Sequence, residues 1–223
     1  MKREKRFCIT DERVETYIRK SIRPYSGLLG EIRSAAVKNE IPVISIETAR
    51  LLEIFVLKAK PNRILELGTA TGFTSILMSN GLAPNGKIDT IDIDSDNASM
   101  AIDNIRRANL DDRINVIIGD AADVLENLNK SYDFIFIDAA KGQYPRYYEL
   151  CKNMVESGGI IFADNVLYRG MTAGGAPINR RQQLLVRRLR EYIDIAIHDK
   201  NFITDVLPVG DGICISYKAE GQV

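Results

Sequence analysis

The sequence predicts an α/β fold organised around a mostly parallel β-sheet. From Arg63 onward, short apolar runs alternate with longer segments of helical periodicity, which is typical of repeated strand–helix–strand units. Strands joined by such crossovers lie parallel to each other, and helices cover both faces of the sheet. The last two apolar runs flank Gly210–Asp211–Gly212 and predict an antiparallel hairpin at the edge of the sheet.

Seven strands are expected from these runs. Five strands with four intervening helices come first, and a long helix from about Asn179 to His198 precedes the hairpin. The predicted strands are RILEL, KIDTIDI, RINVII, YDFIFID, GGIIFAD, FITDVLPV and GICISYK, and the helices between the first five are FTSILMSN, NASMAIDNIRRAN, ADVLENL and YPRYYELCKNM.

Three helices are predicted ahead of the first strand, and Pro24 and Pro61 end the first and third. We expect one domain over residues 1–223, in which residues 1–60 form a helical cap over the active-site rim or a dimer face. Residues 61–223 then form the α/β core. The three leading helices span Asp11–Ile22, Ser26 to about Asn39, and Ser45–Ala59.

The composition is that of a soluble globular enzyme, with 45% apolar and 27% charged residues. Thirty basic residues balance 30 acidic ones, so net charge supplies no general attraction to nucleic acid. The scattered cysteines Cys8, Cys151 and Cys214 suggest reduced thiols in a cytoplasmic protein. The basic start MKREKRFCIT lacks the apolar core of a signal peptide, and no run is long enough to cross a bilayer, so no membrane partner is expected.

The residues that end the predicted strands are mostly acidic. In an open parallel sheet, ligands bind beyond the carboxyl ends of the strands, so chemistry is expected at these positions. The strand-end residues are Glu66 and Gly68, Asp92, Asp120, Asp138, and Asp164 with Asn165.

The first strand-to-helix turn, ELGTATG, predicts a nucleoside-containing cofactor when it is combined with Asp92. Glycines let the backbone approach a ligand, and a carboxylate about 20 residues further on can bind ribose hydroxyls. A dinucleotide fits poorly, because Ala70 replaces the middle glycine of GxGxxG and Glu66 would lie near an anionic pyrophosphate. S-adenosylmethionine has no phosphate, and its ammonium and sulfonium charges suit an acidic rim. As an alternative, Gly68 and Gly72 serve packing alone.

Asp138, Asp164 and Asn165 are candidate metal ligands. Three oxygen donors from two neighbouring strand ends suit a hard cation such as Mg²⁺, with water completing the coordination. The alternative is local: Asp164 and Asn165 cap the next turn, and Asp138 pairs with Lys141.

From about Ile41 to Lys218, the chain resembles the cation-dependent O-methyltransferases of the catechol and caffeoyl-CoA type. ELGTATGFTS resembles the cofactor loop of that family, TIDID its ribose-binding strand end, and GDA its adenine-side turn. FIDAAKGQY and ADNVLYRG resemble its two metal-bearing segments.

The resemblance implies a class I S-adenosylmethionine-dependent methyltransferase fold, which is Rossmann-like, and a homodimer. S-adenosylmethionine and Mg²⁺ or Mn²⁺ are the implied cofactors. Asp138, Asp164 and Asn165 are the implied metal ligands, and Lys141 with Asp138 is implied in catalysis, Lys141 as a base or as an electrostatic stabiliser. The implied cofactor-binding residues are Ile44, Glu66, Gly68, Thr74, Asp92, Asp120, Ala121 and Asp138.

Within that family, DDRINVIIGDA, FIDAAKGQY, DNVLYRG and PVGDGICIS look similar to bacterial enzymes that methylate 5-hydroxyuridine in transfer RNA. Animal catechol enzymes carry His and Trp between the metal-binding Asp and the lysine, whereas Ala139 and Ala140 stand here. The resemblance therefore implies conversion of 5-hydroxyuridine to 5-methoxyuridine in transfer RNA. Methylation of a small catechol or caffeoyl-type vicinal diol is the alternative. A binding module without catalysis would leave Lys141 unexplained.

The helix NRRQQLLVRRLREY carries a candidate RNA-binding face. Helical spacing places Arg180 with Arg187 and Arg181 with Arg188, opposite an apolar stripe that includes Leu189. Such arginines usually form a solvated face, and the alternative is a footprint for RNA phosphates. The basic residues near the other end of the chain favour the second interpretation. They are Lys2, Arg3, Lys5 and Arg6.

Overall fold

A seven-stranded β-sheet forms the centre of the computed structural model, which describes residues 10–174 and 179–220. Every predicted strand is present. The strands are β1 (Arg63–Leu67), β2 (Lys87–Asp92), β3 (Ile114–Ile118), β4 (Tyr132–Ile137), β5 (Val155–Ala163), β6 (Phe202–Leu207) and β7 (Ile213–Lys218).

The strand order across the sheet is β3-β2-β1-β4-β5-β7-β6. The first five strands run parallel, and β7 pairs antiparallel with both β5 and β6. The predicted parallel sheet and its antiparallel hairpin are therefore confirmed. The direction in which strands are added reverses between β1 and β4, and the crevice beyond such a reversal is where ligands bind in this class of sheet.

Helices surround the sheet at the predicted positions, and two short 3₁₀ turns, Lys141–Gln143 and Met171–Ala173, follow β4 and β5. In the described part of the chain the α-helices are α1 (Glu12–Ser21), α2 (Gly27–Lys38), α3 (Ile46–Ala59), α4 (Phe73–Ser79), α5 (Ser95–Arg107), α6 (Ala121–Asn127), α7 (Tyr144–Met154) and α8 (Arg180–His198).

Polar caps explain why several helices begin where they do. The Ser45 hydroxyl accepts a hydrogen bond from the Thr48 amide at 3.2 Å at the start of α3, and the Asp94 carboxylate caps α5. At the start of α8, Asn179 and Gln182 form a reciprocal capping box. These caps satisfy backbone N–H groups that have no partner inside the helix.

The start of β5 differs from the sequence-based prediction, which began the strand at the glycine pair. Val155 already pairs with Tyr132, and the register shifts before the ladder resumes at Ile160. Gly158, with φ of 78°, lies inside this irregular stretch. A glycine pair that looks like the end of a turn is therefore an irregularity within a longer strand.

Successive side chains of each strand point to opposite faces of the sheet, and they contribute to two apolar cores, one on each face. Leu65 and Ile135 join the core that α7 and α8 cover, whereas Ile64 and Phe134 join the core on the side of α3, α4 and α5. Ile32 of α2 and Leu52 of α3 belong to the second core, so these two helices pack against the α/β body.

Cys151 and Cys214 are buried free thiols, and Cys8 lies outside the described residues. Among the described residues, no helix combines the length and the apolar character that crossing a membrane requires.

We predict that Leu52→Ala lowers the free energy of unfolding by about 2–5 kcal/mol, because Leu52 is fully buried and the substitution leaves a cavity. Leu57→Ala, on the exposed side of the same helix, should change the stability by about 0.5 kcal/mol or less. Urea unfolding followed by circular dichroism measures both. Separate transitions for the helical cap and the core would contradict the single-domain prediction.

Candidate active site

A cavity of about 460 Å³ opens beyond the carboxyl ends of the parallel strands. It brings together almost every residue for which a site role is predicted, although they are spread over more than half of the chain. Those that line it are Ile44, Gly68, Thr74, Asp92, Asp120, Ala121, Asp138, Lys141, Asp164 and Asn165.

Gly68 brings the loop after β1 against the end of β4. Its φ of 100° suits glycine, and a Cβ atom placed there would lie 2.3 Å from the Asp138 carbonyl oxygen. Gly68 therefore serves packing and also exposes its backbone to the cavity. Gly72 does not line the cavity and packs against Ala101, so for Gly72 the packing alternative holds.

Asp92, at the end of β2, is held by two backbone N–H groups. Its Oδ2 accepts a hydrogen bond from the Ala70 amide at 2.7 Å, and its Oδ1 accepts one from the Asp94 amide at 2.9 Å. The first bond joins the end of β2 to the glycine loop. A carboxylate oriented in this way at a cavity wall can accept further hydrogen bonds from a pair of neighbouring hydroxyls.

Glu66 departs from its predicted position at the cofactor, since its fully buried side chain does not line the cavity. Its Oε2 accepts hydrogen bonds from the Ser75 hydroxyl and, at 2.7 Å, from the Thr90 hydroxyl, beneath the glycine loop. Oε1 has no hydrogen-bond partner among the described residues. Burial raises the pKa of Glu66 to about 8, although the two hydroxyl bonds oppose the rise. Glu66 supports the loop from below.

Asp138 and Asp164 follow the neighbouring strands β4 and β5. Ile137 pairs with Ala163, so the two aspartates are adjacent across the sheet edge. Burial raises the pKa of Asp138, and the Lys141 ammonium, 3.5 Å from its Oδ1, opposes that rise. Burial and then the charge of Asp138 hold the pKa of Asp164 well above its ordinary value. The two carboxylates therefore repel each other in a poorly solvated place.

One of the local contacts considered as alternatives to metal binding is present, since Asp138 pairs with Lys141. The backbone N–H of Asn165 donates to Asp164 Oδ1 at 2.7 Å, which joins two adjacent residues and does not cap the following turn. Each contact engages one carboxylate oxygen. In the described part of the chain, no three His, Cys, Asp or Glu side chains form a group that could hold a metal. The candidate set instead combines two carboxylates with the Asn165 amide, and these oxygen donors fit a hard divalent cation that keeps several waters.

The profile of an O-methyltransferase family matches residues 20–219. The chain belongs to this O-methyltransferase family. The enzyme is accordingly S-adenosylmethionine-dependent, as predicted.

Two relatives and one solved structure illustrate the family. The caffeoyl-CoA O-methyltransferase of Stellaria longipes is 30% identical over 197 residues, which cover 83% of this chain and 80% of that one. The catechol O-methyltransferase of Niastella koreensis is 31% identical over 165 residues, covering 71% and 75%. The structure of a Bacillus cereus O-methyltransferase in complex with SAH has a TM-score of 0.81 at 26% identity, covering 92% of this chain and 97% of that one.

The O-methyltransferase cavity also contains residues that the sequence-based prediction missed. Asn97, on the first turn of α5, and Tyr147, on the first turns of α7, both line it. The sequence predicts the helix that carries Tyr147 but no role for this residue, which is 2% exposed. Gln143 donates to the Asp120 carboxylate at 3.2 Å, which ties the start of α6 to the turn that carries Lys141.

A second cavity, of about 520 Å³, lies at the opposite, amino-terminal edge of β1, β2 and β3. Charged residues in its lining form ion pairs and hydrogen bonds within the protein. Lys130 lies 2.8 Å from Asp89, and the Arg113 guanidinium donates to the Ala83 carbonyl at 2.8 Å. It contains none of the predicted site residues.

The arginines of α8 lie outside the active-site cavity. Arg180, Arg181 and Arg187 are exposed, and Arg188 is half-buried beside Glu191 at 2.8 Å. The predicted apolar stripe is buried at Leu189 and at neighbouring turns of α8. The same helix packs against the 3₁₀ turn that begins with Lys141.

We predict that Asp92→Ala weakens binding of S-adenosylhomocysteine by about tenfold or more, because hydrogen bonds to a charged partner are worth about 1.5–3 kcal/mol each. Isothermal titration calorimetry measures the effect. Asp96→Ala, at an exposed position in the first turn of α5, is the matched control and should bind normally. An unchanged affinity in Asp92→Ala would place the ribose elsewhere.

Proposed function

We propose that this O-methyltransferase methylates one oxygen of a pair of neighbouring oxygens on a small aromatic substrate, such as a catechol or a caffeoyl-type diol, with Mg²⁺ or Mn²⁺. The observation that carries the proposal is the shared cavity. One wall presents Asp92 and the glycine loop, and another presents Asp138, Asp164, Asn165 and Lys141. A methyl donor and a hydroxyl acceptor can therefore meet within one enclosed space.

The cofactor wall would bind S-adenosylmethionine, which supplies an electrophilic methyl group on its sulfonium sulfur. Asp92 would accept hydrogen bonds from the ribose hydroxyls. Asp120 and Ala121, beside the Tyr147 ring, would form the adenine side of the pocket. Ile44 and Thr74 would complete the walls. This arrangement supports alignment of the methyl donor with the acceptor oxygen. Such alignment contributes strongly to the rate of a reaction between two bound molecules.

The oxygen-rich wall would hold the divalent cation through Asp138, Asp164 and Asn165. When bound, such an ion would supply Lewis-acid chemistry and lower the pKa of a substrate hydroxyl. Asp164 is buried and Asp138 is partly exposed, and among the described residues a single ammonium lies at ion-pair distance from this pair. The negative charge that remains unbalanced favours cation binding.

Lys141 would act on the reacting oxygen. Its ammonium lies at the cavity wall, where Asp138 holds it at 3.5 Å. A neutral Lys141 would accept the hydroxyl proton, whereas a charged Lys141 would stabilise the phenolate. In either case a carbon–oxygen bond forms as the carbon–sulfur bond of the cofactor breaks, and S-adenosylhomocysteine leaves.

The substrate class is proposed from the relatives. Two relatives at 30% and 31% identity are named for caffeoyl-CoA and catechol, which both carry adjacent oxygens on an aromatic ring. Ala139 and Ala140 also line the cavity, but their small side chains, which stand where animal catechol enzymes carry His and Trp, favour the transfer-RNA alternative.

A second candidate substrate is 5-hydroxyuridine in transfer RNA, whose 5-hydroxyl and 4-carbonyl form a similar pair. The exposed Arg180, Arg181 and Arg187 favour it, because they lie on the helix that packs against the Lys141 turn. The basic residues near the start of the chain, which support the same hypothesis, lie outside the described residues.

The homodimer implied by the resemblance is also a proposal. Val14, Tyr17 and Ile18 form an apolar stripe on α1 that is exposed in the monomer. A cytoplasmic location remains a prediction.

Removal of divalent cations should abolish methyl transfer. Excess chelator should stop turnover, and Mg²⁺ or Mn²⁺ should restore it. Asp164→Ala should lose cation-dependent turnover by about tenfold or more, since it removes a proposed ligand, yet keep its affinity for S-adenosylhomocysteine. Radiolabelled methyl transfer and calorimetry measure the two effects. Full activity in chelator would remove the cation from the mechanism.

The two substrate classes should respond differently to loss of the α8 arginines. In a variant with Arg180, Arg181, Arg187 and Arg188 changed to Gln, catechol methylation should hardly change, because these residues lie outside the cavity. If transfer RNA is a substrate, its methylation should weaken and become less salt-dependent, because each lost phosphate contact removes a released counterion. Labelled cofactor offered with each substrate at several salt concentrations provides the measurement. Methylation of transfer RNA alone would overturn the small-substrate proposal.

A further inference from the structure

The segment that follows β5 has an unusual backbone. Asn165, Tyr168 and Arg169 have φ of 61°, 41° and 55°, in the left-handed region that residues with side chains disfavour. Such conformations persist only where the surrounding structure holds them. Asn165 is one of the proposed metal ligands, so the contacts that hold this segment also orient that ligand.

The turn between β6 and β7 holds this segment by three hydrogen bonds. The Val166 amide donates to the Gly212 carbonyl at 2.9 Å, and the Leu167 amide donates to the Asp211 carbonyl at 3.1 Å. The Arg169 amide donates to Oδ1 of the Asp211 side chain. The first two bonds use the backbone of the turn, whereas the third requires a side-chain acceptor.

The turn itself is firmly anchored. The Gly212 amide donates to the Val209 carbonyl at 2.9 Å and closes it. Gly210 lies against the start of α3, where an added Cβ atom would come within 2.3 Å of the Thr48 hydroxyl and 2.7 Å of the Ser45 hydroxyl. The turn therefore rests on the helix that follows the cofactor wall at Ile44, and it offers the loop after β5 a fixed point of attachment.

We propose that Asp211 is a positioning residue for methyl transfer, whose side-chain oxygen holds the Arg169 amide and so keeps Asn165 in the cavity wall beside Asp138 and Asp164. The inference rests on the proposed function, because the position of Asn165 matters to the reaction only if Asn165 binds the cation.

Asp211 also carries a charge within electrostatic range of Lys141. Burial raises the pKa of Asp211, while the Arg169 amide and then Lys141 oppose the rise. A role through charge and a role through the hydrogen bond can be separated. Asp211→Asn keeps an oxygen acceptor and removes the charge, whereas Asp211→Ala removes both.

The test uses the full chain and two measurements that need no turnover. Hydrogen–deuterium exchange followed by NMR reports the Arg169 amide without metal, and electron paramagnetic resonance of free Mn²⁺ reports cation affinity. In Asp211→Ala, the Arg169 amide should lose protection and Mn²⁺ affinity should fall roughly tenfold, the lower end of the loss for a direct partner of a metal ligand, because Asp211 acts on Asn165 through the backbone. Asp211→Asn should stay within about twofold of the wild type in both measurements. Asp103→Ala, an exposed carboxylate on α5, is the control.

Normal Mn²⁺ affinity in Asp211→Ala would overturn the positioning role. Equal losses in Asp211→Asn and Asp211→Ala would overturn it too, because charge would then be the cause. If Asp211→Ala does not fold, Asp211→Asn provides the test. A protected Arg169 amide with retained Mn²⁺ affinity supports the positioning role. A roughly tenfold loss of Mn²⁺ affinity in Asp211→Asn refutes it. Absence of Mn²⁺ binding by the wild type would refute the cation site itself. Unchanged binding of S-adenosylhomocysteine would show that the cofactor wall is intact.

Discussion

The site depends on two carboxylates that the sheet forces together. Ile137 and Ala163 are paired in neighbouring parallel strands, so Asp138 and Asp164 emerge side by side, where Asp164 is buried and the Asp138 side chain is 25% exposed. Bringing like charges together in a low dielectric is unfavourable, and a single ammonium at 3.5 Å compensates only part of it. Unless a proton or a cation neutralises the remaining charge, this edge of the sheet is electrostatically unstable. Such an arrangement is costly for a purely structural role, and that cost is the physical argument for a bound cation.

The cofactor wall is coupled to the same strand end. Gly68 approaches the Asp138 carbonyl so closely that no side chain fits between the two loops, and the Asp138 amide donates to Leu67 at 2.9 Å. The residue that would bind the cation therefore also contacts the loop that would bind the methyl donor. Because both walls share one rigid backbone junction, the distance between donor and acceptor is set by the sheet, and alignment requires little further ordering when substrates bind.

Much of this arrangement can be predicted from the sequence, because parallel strands have a simple signature. Apolar runs alternating with helical segments identify the strands, and the residues that follow them identify the rim of the site. The same rule misplaces Glu66. Glu66 lies near the end of β1, so its position along the chain predicts a place at the rim. Successive side chains of a strand point to opposite faces of the sheet, and that of Glu66 lies beneath the glycine loop, against Ser75 and Thr90.

Other features depend on contacts that no local pattern encodes. The sequence predicts the helix that carries Tyr147, but the position of this side chain at the cavity depends on how α7 is placed against β4. The contact of Asp211 with Arg169 joins residues 42 positions apart. A Gly-Asp-Gly sequence predicts a turn, yet it does not predict which segment the turn will hold.

The size of the cavity limits it to the reacting groups, so recognition of a larger substrate would involve the surface outside it. A space of about 460 Å³ is within the usual range for a small-molecule site, and much of it lies against the cofactor wall. For the proposed reaction, one ring with two adjacent oxygens would have to enter the remainder, either as a free catechol or as a base at the end of a larger molecule. The reacting groups would then not discriminate between the two candidate substrates.

Discrimination would come from surfaces outside the cavity. Helix α8 is well placed for this, since its buried face packs against the turn that carries Lys141 while its arginines face outward. A change on that outer surface can alter which molecule is presented to the site without altering the bonds that are made and broken inside it.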